Sequence, residues 1–162
     1  MKLRPLVTFE DSQTTAEASR TAAGWPARPS RDVDPDDYDP DIWDAAPPGR
    51  ELAEDLARGL QAGGLTLAFP VSQWEVDGWE FTVETGGRKV WFMLRASDEW
   101  LLITDTPRRF LERLRGATFE EQHGKALAIL AAVLAPPRFT NVRWFTKDEF
   151  RSHERGKAGP QR

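Results

Sequence analysis

The densest group of potential metal ligands is the run DVDPDDYDPDIWD at residues 32–44. Asp32, Asp34 and Asp36 have the alternate spacing that opens an EF-hand loop, where hard carboxylate oxygens converge on calcium. That loop also needs glycine at its sixth position for a sharp turn and a bidentate glutamate at its twelfth. Those positions hold Asp37 and Trp43, and a frame opening at Asp37 puts Ile42 and Pro48 there. Neither frame closes a calcium site. The plain reading of the run is a solvated acidic linker; the alternative reading takes Tyr38, Ile42 and Trp43, set among carboxylates, as a linear motif that orders on a partner.

The other chemical groups fare no better. Glu120 and His123 have the E-x-x-H spacing of di-iron bundles, but those need a second copy of the motif and two further glutamates. His123 lies four residues from both Phe119 and Leu127, at the edge of an apolar stripe, and reads as a structural histidine. The serines fall in tails and turns, none within a G-x-S-x-G elbow. TGGRK and QAGGL lack the spacings of phosphate-binding loops and read as a turn and a helix stop. With no cysteine, thiol catalysis, disulfides and cysteine-ligated zinc are excluded. No catalytic residue, metal or cofactor is expected.

Residues 138–162 hold seven basic and three acidic residues, and Arg143 stands beside Trp144, a pairing that can stack nucleic-acid bases. The chain's net charge of −4 opposes that reading, so it stands as the alternative to protein binding.

What remains is aromatic. WEVDGWEFTVETGGRKVWFMLRASDEWLL, residues 74–102, holds four of the seven tryptophans. Trp79, Phe81 and Val83 alternate with Glu80, Thr82 and Glu84, a strand period. Gly86-Gly87 can take the positive φ angles of a two-residue hairpin turn, which sets Thr85 opposite Arg88. Val83 then faces Val90, Phe81 faces Phe92 and Trp79 faces Leu94; on the other face Glu84 meets Lys89, Thr82 meets Trp91 and Glu80 meets Met93. A further turn centred on Ser97-Asp98 sets Leu94 against Leu101 and Phe92 against Ile103. The opposite face then gathers Trp91, Met93, Trp100 and Leu102, with Glu80 and Arg95 at its rim. Large apolar patches with polar rims mark interaction sites, so these six residues, with Tyr38 and Trp43, are the candidate protein-binding set.

The elements that must position them follow from period and punctuation. Residues 1–49 carry five basic and ten acidic residues and seven prolines, and read as an acidic, disordered tail; PLVTFE within it can form a short added strand. Residues 50–150 read as one α+β domain. Leu52, Ala53, Leu56, Ala57 and Leu60 fall at helical spacing before a Gly63-Gly64 stop. LTLAFP is a short strand closed by Pro70. TPRRFLERLRG predicts a short helix carrying Phe110, Leu111 and Leu114. Thr118 with Glu121 opens a helix with the stripe Phe119, Ala126, Leu127, Leu130, Val133 and Leu134. RFTNVRWF predicts a last strand, Thr146 with Glu149 opens a short helix, and residues 151–162 form a basic tail that frays.

The expected fold is therefore an antiparallel meander of four to five strands, with two or three helices packed mainly on the face of Trp79, Phe81, Val83, Val90, Phe92, Leu94, Leu101 and Ile103. The opening MKLRPLVTFEDSQ has no apolar run, so no secretory signal is expected, and no window is long enough to span a membrane. Absence of cysteine suits a reducing, cytoplasmic setting. The element order over residues 50–150 resembles that of small bacterial secretion-chaperone and immunity-type α+β proteins, departing from the chaperone pattern in the single strand after the long helix. That resemblance implies an acidic binding protein; the lack of a catalytic constellation and the aromatic second face point to a non-catalytic protein that binds another protein or associates with itself.

Overall fold

The computed structural model describes residues 3–16, 18–19, 46–74, 78–106 and 117–160, the first three of the last stretch by backbone alone. In chain order the elements are β1 (Leu6–Asp11), α1 (Arg50–Ala62), β2 (Thr66–Trp74), β3 (Gly78–Thr85), β4 (Arg88–Ala96), β5 (Trp100–Asp105), α2 (Ala117–Val133), β6 (Phe139–Phe145) and α3 (Lys147–Arg151). The strands form one antiparallel sheet in the order β2-β3-β4-β5-β1-β6. The fold is α+β, with six strands where four to five were expected.

The extra strand comes from the N-terminus. PLVTFE does form a strand, and β1 is an interior one, paired with β5 on one side and β6 on the other. Val7 and Phe9 are fully buried. Residues 6–11 therefore belong to the folded unit and not to the acidic tail. Trp25, Tyr38, Trp43 and the aspartate run lie outside the described residues, as does all but Thr106 of the short helix expected over residues 106–116.

The β3–β4 hairpin has the expected register throughout, from Thr85 opposite Arg88 to Trp79 opposite Leu94. Gly86 and Gly87 take φ of 55° and 72°, the left-handed pair that only this kind of turn demands. The β4–β5 register differs by one residue. Ala96 pairs with Trp100, closed by a three-residue connection in which the Ser97 N–H donates to the Glu99 carbonyl. Leu94 consequently faces Leu102, and Phe92 faces Thr104. One added loop residue turns every β5 side chain to the opposite face. Trp100 and Leu102 are thus core residues with no exposed surface, while Leu101 and Ile103 occupy the second face.

Helices α1 and α2 pack on the first face. Helix α1 buries Leu52, Ala53, Leu56, Ala57 and Leu60, the stripe its spacing predicts. Helix α2 buries His123, Ala126, Leu127 and Leu130, and Leu134 is buried directly after it; the side chains of Thr118 and Phe119 lie outside the described residues. Phe81 and Phe92, cross-strand partners, stack at 5.1 Å, and Phe9 meets Phe139 edge-on at 5.4 Å. Two of the buried indoles donate to backbone carbonyls: Trp79 Nε1 to that of Pro47 at 2.8 Å and Trp100 Nε1 to that of Thr14 at 2.7 Å. Gly49, at φ 98°, precedes α1 directly above the Trp100 ring, where a Cβ would stand 2.6 Å from it. The entry to α1 is therefore shaped around Trp100.

Strand β2 runs through Pro70 to Trp74 instead of ending there. Pro70 is tolerated because β2 is an edge strand and Pro70 sits at a bulge, where a missing N–H removes no regular ladder bond. The C-terminal segment, expected to fray, is bonded to the sheet: Trp144 and Lys157 exchange two backbone hydrogen bonds, of 2.8 and 2.9 Å, and the Arg4 N–H donates to the Pro160 carbonyl at 2.8 Å. Among the described residues no helix is long and apolar enough to cross a membrane.

Candidate functional site

The second face of the sheet carries Glu80, Thr82 and Glu84 from β3, and Lys89, Trp91, Met93 and Arg95 from β4. Leu101 and Ile103 follow from β5, Leu6 and Thr8 from β1, and Arg143 and Phe145 from β6. Among the described residues both long helices lie on the other face, so this one, mixed in polarity, has no long helix over it. Its β5-β1-β6 half is packed: Leu6, Leu101 and Phe145 form a small buried cluster with Ile103 against it.

Of the exposed aromatic rings among the described residues, Phe150 of α3 stands edge-on to Phe145 at the β6 end, and the other two, Phe69 and Trp74, lie at the β2 end. In β2 the pairs Leu67–Val83 and Phe69–Thr82 leave Ala68 unmatched, and the next pair, Ser72–Glu80, leaves Pro70 and Val71 against Phe81 alone. Without the first bulge Phe69 would share the core face with Leu67, two residues before it. The extra residue turns it outward, and Phe69 is 54% exposed. Trp74, which sequence could not place, lies on the same face, 40% exposed, with its ring edge-on to Trp91 at 5.7 Å and 69°. Trp91 is half-buried and its Nε1 donates to Glu80 Oε2. The Lys89 ammonium stands 4.3 Å above the Phe69 ring.

Of the sequence-derived set, the structure brings Trp91, Met93, Glu80 and Arg95 onto one face. Met93 is 7% exposed and serves as floor rather than as a protruding anchor. Trp100 and Leu102 are withdrawn into the core, and Tyr38 and Trp43 lie outside the described residues. Phe69 and Trp74 were missed as site residues. Their signal in the sequence is an apolar strand containing Pro70, since proline within a strand points to an edge or a bulge.

Other polar side chains tie elements of the fold together. His123 Nε2 lies 2.8 Å from Thr104 Oγ1, and that hydroxyl is 3.0 Å from the Pro5 carbonyl. The carbonyl can only accept, so Thr104 donates to it and receives the His123 Nε2 proton. Arg4 bonds Glu149 through both carboxylate oxygens, at 3.1 and 3.3 Å, with both residues buried. Glu149 also caps α3 through the Thr146 N–H at 2.8 Å, and this bond, with the Arg4 guanidinium, lowers its pKa to about 2. Arg138 bridges Asp11 of β1 and Asp55 of α1, at 3.1 and 2.9 Å, and its pKa is raised, chiefly by the bond to Asp11. Trp144 is 1% exposed, so the ring that would stack a base beside Arg143 faces the core. A cleft of about 310 Å³ near the start of β5 is walled by Phe9 and Trp100, with Glu10, Asp98 and Glu99 around it. Among the described residues no group of three or more His, Asp or Glu side chains could hold a metal.

Fold and face together define an antiparallel α+β sheet with two helices on one face and an exposed aromatic patch at one end of the other. Compared with protein-family models, curated proteins and solved structures, the chain has no match.

Proposed function

We propose that this protein acts by contact with another polypeptide, without catalysis, through the patch of Phe69, Trp74 and Trp91. Met93 lies beneath the patch, and Glu80 and Arg95 flank it. The observation that carries the reading is the β2 bulge, which turns Phe69 away from the core and leaves it more than half exposed on the face that also carries the exposed Trp74. Folding alone favours burial of such a ring, which offers 150–250 Å² of mainly apolar surface. Aromatic residues and arginine are enriched in the centres of protein interfaces. A cytoplasmic location belongs to the same proposal and rests on the cysteine-free sequence alone.

The test compares wild type with Phe69→Ser/Trp74→Ala as immobilised baits, once thermal unfolding has shown both to be folded. Wild type is expected to retain at least one protein from a native-cell extract that the variant loses. Identical captured sets would remove the reading.

A further inference from the structure

We infer that the partner seated on this patch is a second copy of the chain, in a two-fold contact centred on Phe69, Trp74 and Trp91. The inference rests on the protein-binding reading and names its occupant. Charge supplies the first argument. On the second face of β2–β4 the charged residues are Glu80 and Glu84 of β3 and Lys89 and Arg95 of β4, while β2 has none over nine residues. In a two-fold contact the same patch faces itself, so a rim of one sign repels its copy. Two acids and two bases on neighbouring strands can instead pair across the axis, Glu84 of one copy with Lys89 of the other.

The edges of the sheet supply the second argument. Exposed edge strands are ordinarily guarded by charged side chains, lysine above all, or by being covered. The chain covers part of the β6 edge with its own C-terminal segment, through the two backbone bonds between Trp144 and Lys157. On β2 the guards are Pro70 and the bulges, and no charge there would repel an identical β2. The third argument is the exposure of Phe69 and Trp74, both on β2 and both on the face a two-fold contact would bury.

Sedimentation velocity on the full chain, from about 1 to about 500 µM, tests the inference. Wild type is expected to shift from monomer to dimer across the series. Phe69→Ser and Trp74→Ala alter exposed rings and are expected to weaken association about tenfold or more, with each variant still unfolding cooperatively as a folded chain. Lys89→Glu leaves an acidic rim and Glu84→Lys a basic one. Each alone is expected to stay monomeric, whereas an equimolar mixture forms dimers. A wild type that is monomeric throughout overturns the inference, and leaves the capture comparison to decide the broader reading. Dimers indifferent to Phe69→Ser and Trp74→Ala, or reversed-charge variants that fail to recombine, also overturn it.

Discussion

At the scale of single residues, the clearest consequence concerns Glu149. Its carboxylate accepts the Thr146 N–H and two bonds from Arg4, and its pKa falls from 4.5 to about 2. A carboxyl whose pKa is lower in the folded chain contributes stability above its unfolded pKa, and that contribution is lost as pH falls towards the folded value. The window is therefore about 4.5 down to about 2. Glu149→Gln should be less stable than wild type at neutral pH, because Arg4 loses its counter-ion while remaining buried. The gap should close across that window as wild-type Glu149 takes up its proton. Urea midpoints measured at intervals from pH 7 to about 2 check this; a gap that stays constant would show that the Glu149 carboxylate is not the group responsible. The Thr146–Glu149 box was legible in the sequence because capping is local. Arg4 was not, since it reaches Glu149 across almost the whole chain.

At the scale of elements, the two hairpins show what a sequence can and cannot specify. Gly86-Gly87 admits one tight turn, so the register of β3 and β4 followed from two residues. The β4–β5 connection has no glycine, and β5 is apolar on both faces because β4 and β1 flank it and both its faces are packed. Alternation could not choose between Trp100/Leu102 and Leu101/Ile103, and the three-residue loop decided it. The same difficulty hid Phe69, whose orientation depends on a bulge that leaves no mark in polarity. Stability measurements separate the two arrangements. Trp100→Ala empties a fully buried site and should cost about 3–5 kcal/mol. Trp74→Ala removes a 40% exposed ring and its edge contact with Trp91, and should cost about 1 kcal/mol. Comparable losses from the two substitutions in denaturant titrations would contradict the β4–β5 register.

At the scale of the whole molecule, the fold is closed by its own N-terminus. The local pattern placed the folded domain at residues 50–150, since nothing near residue 6 signals a partner more than ninety residues away. Long-range pairing is a property of topology and not of any window of sequence. Yet β1 fills the space between β5 and β6 and buries Val7 and Phe9, and Arg4 and Asp11 tie it to Glu149 and Arg138. Without β1 the facing edges of β5 and β6 have no backbone partner in the sheet, Arg138 loses Asp11, and Leu102 and Trp144 each lose their neighbour across the ladder, Val7. A chain beginning at residue 46 should therefore lack a cooperative unfolding transition and the near-ultraviolet dichroism of ordered tryptophans. A synthetic peptide of residues 1–16 added to that chain should restore both, with an apparent stability that rises with peptide concentration, because the peptide binds only the folded form. A shortened chain that unfolds cooperatively without the peptide would show that the meander and two helices suffice, and that β1 is an addition to a domain already complete.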